Sequence, residues 1–171
     1  MSSKLLVVFG ATGQQGKSII DTVLGDERLS KEYSLRGTTR DASKPSAKEL
    51  AGKGVEMVEA EVNDVASLKK AFEGAHAVFA YTTTIYDGHA YEHEVNEGRA
   101  LADAAVAVSV PYYIYSTLPN CGKISGGKLK NTGHFDGKEE VEQYIRTLPM
   151  KSAFFAPGTF MSNFGSNMTR T

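Results

Sequence analysis

Three glycines at fixed spacing, in Gly10-Ala11-Thr12-Gly13-Gln14-Gln15-Gly16, stand directly behind the apolar run Leu5-Leu6-Val7-Val8-Phe9. A buried strand that ends in such a turn can cradle the phosphates of a dinucleotide. Gly10 takes backbone angles closed to other residues, Gly13 lets the backbone approach a pyrophosphate, and Gly16 lets the next helix pack on the sheet. That helix directs its unpaired N–H groups and the positive end of its dipole at the phosphates. Gly16, Ile19, Ile20, Val23 and Leu24 recur at the spacing such a helix needs. A second group of residues bears on which nucleotide is held. Where an acidic side chain would bind the adenine ribose of NAD, the second strand ends at Thr39 and Arg40. A guanidinium there favours NADP(H) over NAD(H), because it can grip the extra phosphate with paired charge-assisted hydrogen bonds. Lys44 is a weaker candidate for the same phosphate.

Strands and helices alternate around these residues. Tyr33–Thr39, Val55–Val58, Ala77–Tyr81, Tyr112–Tyr115 and Ser152–Ala156 read as strands two to six. Between them, Ala47–Ala51 reads as a short helix, and Asp64 caps a helix that carries Val65, Leu68, Ala71 and Phe72 on one face. A long helix runs from about Ala90 to Val108 with Val95, Gly98, Ala102, Ala105 and Val108 as its buried stripe. The last begins at Asp136, with Glu139 three residues on as a capping box, and buries Val141, Tyr144, Ile145 and Leu148. Asp26–Glu32 reads as a polar connection and Leu118–Gly133 as a long loop. This alternation predicts an α/β fold with a doubly wound parallel sheet in strand order 3-2-1-4-5-6, whose ligands sit beyond the carboxyl ends of the strands.

At 171 residues, with 19 basic against 20 acidic side chains, the chain has the size of one domain and no field to attract nucleic acid or an anionic membrane. One cysteine, Cys121, excludes an internal disulfide. His89 and His93 lie one helical turn apart without a third ligand, so no metal site is expected. Met1-Ser2-Ser3-Lys4 runs straight into the first strand, and no apolar run approaches bilayer length. A cytoplasmic protein is expected, with a nuclear location open to a regulator, and the glycosylation pattern at Asn167-Met168-Thr169 is read as chance.

With these residues in place, the chain resembles the NmrA-like family, a branch of the atypical short-chain dehydrogenase/reductases with an NAD(P)-binding Rossmann fold. The resemblance spans essentially the whole chain. It rests on the glycine motif, Thr38-Thr39-Arg40, Ala60-Glu61-Val62-Asn63-Asp64, His134-Phe135-Asp136-Gly137-Lys138 and Pro157-Gly158-Thr159-Phe160-Met161-Ser162-Asn163-Phe164. It implies that Gly10, Thr12, Gly13, Gln14, Gln15, Gly16 and Arg40 hold NADP(H). It also implies that Glu61, Val62 and Asn63 lie beside the adenine, and that Ala80, Tyr81 and Thr82 border the cofactor's ribose. Lys138 would approach the nicotinamide ribose, and the loop with Pro157 and Phe160 would wall the nicotinamide. Family members continue well past the sixth strand. Residues 1–171 are therefore expected to form one nucleotide-binding domain without the C-terminal substrate or partner region, leaving an apolar patch at Phe160 and Phe164 prone to homo-oligomeric association.

Short-chain reductases use a tyrosine acid with a lysine four residues on. No tyrosine here has that lysine; the pair at that spacing is His134 and Lys138. A histidine can donate a proton near neutral pH. Lys138 is expected in the first turn of its helix, where the dipole disfavours a cation by up to ~1 kcal/mol. Ser116 and Thr117 are expected to face a substrate. Two functions follow. One is a cofactor-sensing regulator that binds NADP(H) and a partner protein, as the resemblance implies for a transcription factor in nitrogen metabolite repression. The other is an NADPH-dependent reductase of a small carbonyl, quinone or aromatic compound, with Lys138 and His134 as its catalytic groups.

Overall fold

The computed structural model describes residues 3–166. Its six parallel strands are β1 (Lys4–Val8), β2 (Tyr33–Thr39), β3 (Glu56–Glu59), β4 (Ala77–Ala80), β5 (Tyr112–Ser116) and β6 (Lys151–Phe155). They lie in the order 3-2-1-4-5-6, as the alternation predicted. In the register of the sheet, Leu6 pairs with Leu35 and Ala77, and Val8 with Gly37 and Phe79. Alternate residues of β1 feed two cores. Leu6 and Val8 join Ile20, Leu35, Leu50 and Phe79 on one face, whereas Val7 joins Leu68, Phe72, Val78, Tyr113 and Val141 on the other.

The first core is closed by α1 (Gln14–Gly25) and α3 (Pro45–Gly52), the second by α4 (Val65–Phe72), α5 (Ala90–Ala107) and α7 (Gly133–Arg146). Two glycines set how closely α5 and α7 approach. A Cβ on Gly98 would meet Val141 Cγ2 at 2.5 Å, and one on Gly137 would meet Glu94 Cβ at 2.8 Å. The two helices therefore touch backbone to side chain, and this contact decides the site described below.

Several local readings change. Asp26–Glu32 is a connection only up to Asp26, whose carboxylate caps α2 (Glu27–Glu32) by accepting from the N–H groups of Arg28 and Leu29 at 2.9 and 2.8 Å. Asp64 caps α4 as expected, but Val65 is half-exposed while Leu68, Ala71 and Phe72 are buried. The long loop contains one helical turn, α6 (Cys121–Ile124), capped by Asn120. Helix α7 starts three residues earlier than Asp136, after Thr132, and no capping box forms. Asp136 instead accepts from the Gly122 N–H and the Thr132 hydroxyl, and Glu139 turns to Asn120 and Lys123. Both carboxylates are thus spent on holding α6 and its flanks to α7. A last short helix, α8 (Ser162–Ser166), leaves Phe164 and Met161 exposed beside the half-buried Phe160. Asn167-Met168-Thr169 lies outside the described residues, and among those residues no helix is long and apolar enough to cross a membrane.

Tyr113 is buried in the second core with no hydrogen-bond partner for its hydroxyl. Because an unpaired buried hydroxyl is a net cost, Tyr113→Phe is expected to raise the unfolding free energy by about 1 kcal/mol in urea denaturation. A loss of stability would show that the hydroxyl is partnered.

Candidate cofactor site

Gly10 adopts φ +68°, in the left-handed region open to glycine. The turn it makes is pinned from both sides. Its N–H donates to Thr38 Oγ1 at 3.0 Å, the Ala11 N–H donates to the Thr38 carbonyl at 3.0 Å, and the Tyr81 hydroxyl donates to the Gly10 carbonyl at 3.1 Å. A Cβ on Gly13 would collide with that hydroxyl, and one on Gly16 with the Gly10 carbonyl oxygen. Gly13 is also the N-cap of α1 and brings no side-chain acceptor. The first-turn N–H groups and the positive helix end therefore remain for an anion.

Around this turn two concavities open. One, of about 400 Å³, is bordered by Gly10, Thr12, Gly13, Arg40, Lys44, Glu61, Val62 and Tyr81. Arg40 is exposed at its rim, and Asp41 does not engage it. That carboxylate accepts from the Ser43 N–H at 2.9 Å and hydroxyl at 2.6 Å, which hold it below the usual carboxylate range. The other, an apolar groove of about 710 Å³, runs between α1 and the bare face of β4, β5 and β6. Gln14, Gln15, Pro157 and Phe160 border it, with Phe79, Ile114 and Phe155 as its floor. Gln15 Oε1 is buried without a hydrogen-bond partner.

Other expected site residues are placed elsewhere. Asn63 is exposed and borders neither concavity, and the Ala80 side chain is sealed in the core. His134 packs its ring edge to face on Tyr86 and Phe135, with centroids 5.5 and 4.6 Å apart. Ser116 and Thr117 are buried rather than open to a substrate, and the Thr117 hydroxyl donates to the Lys138 carbonyl at 3.2 Å.

Lys138 lies in the second turn of α7, beyond the reach of the N-terminal dipole, and is only 8% exposed. Its ammonium donates to the Thr82 carbonyl at 2.8 Å, Thr82 Oγ1 at 2.6 Å and Glu94 Oε2 at 2.7 Å. An ammonium has three protons, and all three are used. Thr82 Oγ1 donates in turn to Glu94 Oε2 and shares a hydrogen bond with the Tyr115 hydroxyl at 3.1 Å. Glu94 Oε1 accepts from Thr84 Oγ1 at 2.6 Å. Burial draws the Lys138 pKa below the ordinary lysine value, opposed by the carboxylate of Glu94. Burial pushes the Tyr115 phenol well above its ordinary range. The network ties the end of β4 to α5 and α7, and Lys138 borders neither concavity.

The sequence profile of the NmrA-like family matches residues 2–171. The chain belongs to this family. An NmrA-like family domain-containing oxidoreductase of Penicillium ochrochloron is 30% identical over 169 residues, covering 94% of this chain and 48% of the relative. Among solved structures, the negative transcriptional regulator NmrA in complex with NAD superposes with a TM-score of 0.78 at 28% identity, over 95% of this chain and 48% of its own. The Citrobacter triphenylmethane reductase complexed with NADP(H) shares the fold, with a TM-score of 0.74 at 22% identity over 93% of this chain and 51% of its own. This NmrA-like chain thus spans about half the length of the relatives it matches.

The sequence reading missed two residues of this arrangement, Glu94, which anchors the buried network, and Glu97, which borders the smaller cleft; Thr38 was quoted in a family segment without its role of pinning the glycine turn. Only Glu94 left a signal, since Glu94, Gly98, Leu101, Ala102 and Ala105 share the buried side of α5. Because its loss would strand a buried carboxylate, Lys138→Met is expected to lower stability by about 3–5 kcal/mol. Adding Glu94→Gln to that variant is expected to restore most of the loss, measured by denaturant unfolding as a double-mutant cycle. Additive losses would refute the pairing.

Proposed function

We propose that this NmrA-like chain binds NADP(H) as a regulatory cofactor sensor, holding the dinucleotide without using Lys138 for catalysis. The observation that carries this reading is the Lys138 ammonium, whose three protons are already committed to Thr82 and Glu94. A proton donor for a substrate would have to break a buried ion pair first. The fit to a dinucleotide is supported by the first turn of α1, which no side chain caps, and by the Gln15 carboxamide oxygen left without a donor beside it. In this reading the glycine turn and the first turn of α1 hold the pyrophosphate. Glu61 and Val62 flank the adenine, Arg40 with Lys44 holds the additional phosphate, and Gln15, Pro157 and Phe160 take the nicotinamide half. Its ligand in signalling is a second protein, of the transcription-factor type for a regulator that resembles NmrA. When bound and reduced, the nicotinamide supplies a hydride.

A second reading is an NADPH-dependent reductase of a small carbonyl, quinone or aromatic compound. It is favoured by the apolar groove beside Phe160 and Met161, whose volume of about 710 Å³ suits a small aromatic molecule, and by the oxidoreductase name of the Penicillium relative.

Calorimetric titration with NADP⁺, NADPH, NAD⁺ and NADH tests the proposal. Unequal affinity for NADP⁺ and NADPH is expected; equal affinity would remove the thermodynamic basis of sensing. Arg40→Ala should weaken both phosphorylated forms by about tenfold or more, from the loss of charge-assisted hydrogen bonds, and leave NAD(H) little changed. Steady oxidation of NADPH by a quinone in the presence of the protein would replace the sensor with the reductase.

A further inference from the structure

Glu97 is a carboxyl on the wall of the smaller cleft that neither the fold nor the buried network uses. It projects from α5, three residues after Glu94, and borders the cleft that Gly13, Val62 and Tyr81 also line. The side chain is half-buried, and among the described residues no hydrogen bond or ion pair engages it. Burial and the nearby Glu94 push its pKa above the ordinary glutamate value, against the pull of His93 and Lys138. A partly buried acceptor that no protein donor engages is open to a ligand that supplies one.

The chemistry of that ligand follows from the rest of the cleft. Arg40 and Lys44 border it without pairing with Glu97, and Asp41 and Glu61 are the other carboxylates along its lining. A phosphate is attracted to the arginine, the lysine and the glycine turn, and repelled by the carboxylate. The Glu97 side suits a group that donates hydrogen bonds and carries no negative charge. In a dinucleotide whose pyrophosphate lies on the glycine turn, the adenosine half offers two such groups, the exocyclic amine and the ribose hydroxyls.

We propose that Glu97 is a ligand-binding residue that accepts a hydrogen bond from the adenosine half of the dinucleotide, and so fixes the orientation of that half in the cleft. The proposal rests on the cofactor reading above and assigns a role to a residue which that reading leaves idle.

The test is calorimetry of the wild-type chain, Glu97→Gln and Glu97→Leu with NADP⁺ and with its hypoxanthine analogue, which lacks the exocyclic amine. Glu97→Leu is expected to bind NADP⁺ about tenfold more weakly than wild type. Glu97→Gln, which keeps an acceptor oxygen, should stay within about threefold. If the amine is the donor, the analogue loses affinity for wild type but not for Glu97→Leu; if a ribose hydroxyl is the donor, it loses equally for both. Unaltered or tighter binding of NADP⁺ by Glu97→Leu would overturn the proposal while leaving the cofactor reading intact. Absence of dinucleotide binding by wild type would overturn both.

Discussion

A buried ammonium must find a hydrogen-bond acceptor for each of its protons or give up its charge, and Lys138 meets that constraint with Thr82 and Glu94. Satisfying it fixes three elements at once. The close approach of α5 and α7 at Gly98 and Gly137 brings Glu94 within reach of Lys138, and the pair draws in the chain that leaves β4. Tyr81, the residue before Thr82, is then set against the glycine turn, where its hydroxyl meets the Gly10 carbonyl. The cradle at β1 and the polar network between the helices are connected through two adjacent residues.

This connection bears on function. A lysine at the family's position invites a catalytic reading, yet its accessibility and its protons decide what it can do. Lys138 is enclosed, and its network leaves no proton uncommitted. The neighbouring candidate, His134, is packed against Tyr86 and Phe135 at the protein surface rather than directed into either concavity. In the proposed reading the parts that remain available to a ligand are an uncapped helix start, Arg40, which Asp41 does not engage, an apolar groove with one unpaired amide oxygen, and the carboxyl of Glu97.

The fold was legible in the sequence where a single periodicity dominates. Strand order followed from the alternation of apolar strands with amphipathic helices, and Asp64 announced α4 because an apolar stripe follows it. Helix α2 was hidden because only Leu29 packs, partly buried, against a core, so its cap at Asp26 had no stripe to point to. The start of α7 was misread because Asp136 and Glu139 have the spacing of a capping box, while their tertiary partners on α6 and its flanks take both carboxylates. Lys138 drew attention through a supposed conflict with the helix dipole. Its actual distinction is burial, which depends on a glutamate 44 residues away. Glu94 was passed over because a charged residue in a buried stripe is read as a surface residue until its partner is known, and Glu97 because nothing in its helix marks it as facing a cleft.

The central claim, that the Lys138 ammonium is a structural donor with no proton to spare, is tested most directly by ¹⁵N NMR of the lysine side chains, with Lys138 assigned by mutation. A slowly exchanging Lys138 Nζ resonance, visible at neutral pH and little shifted by saturating NADPH, is the predicted result. A Lys138 signal that exchanges like those of the surface lysines, or that moves strongly when NADPH binds, would contradict it.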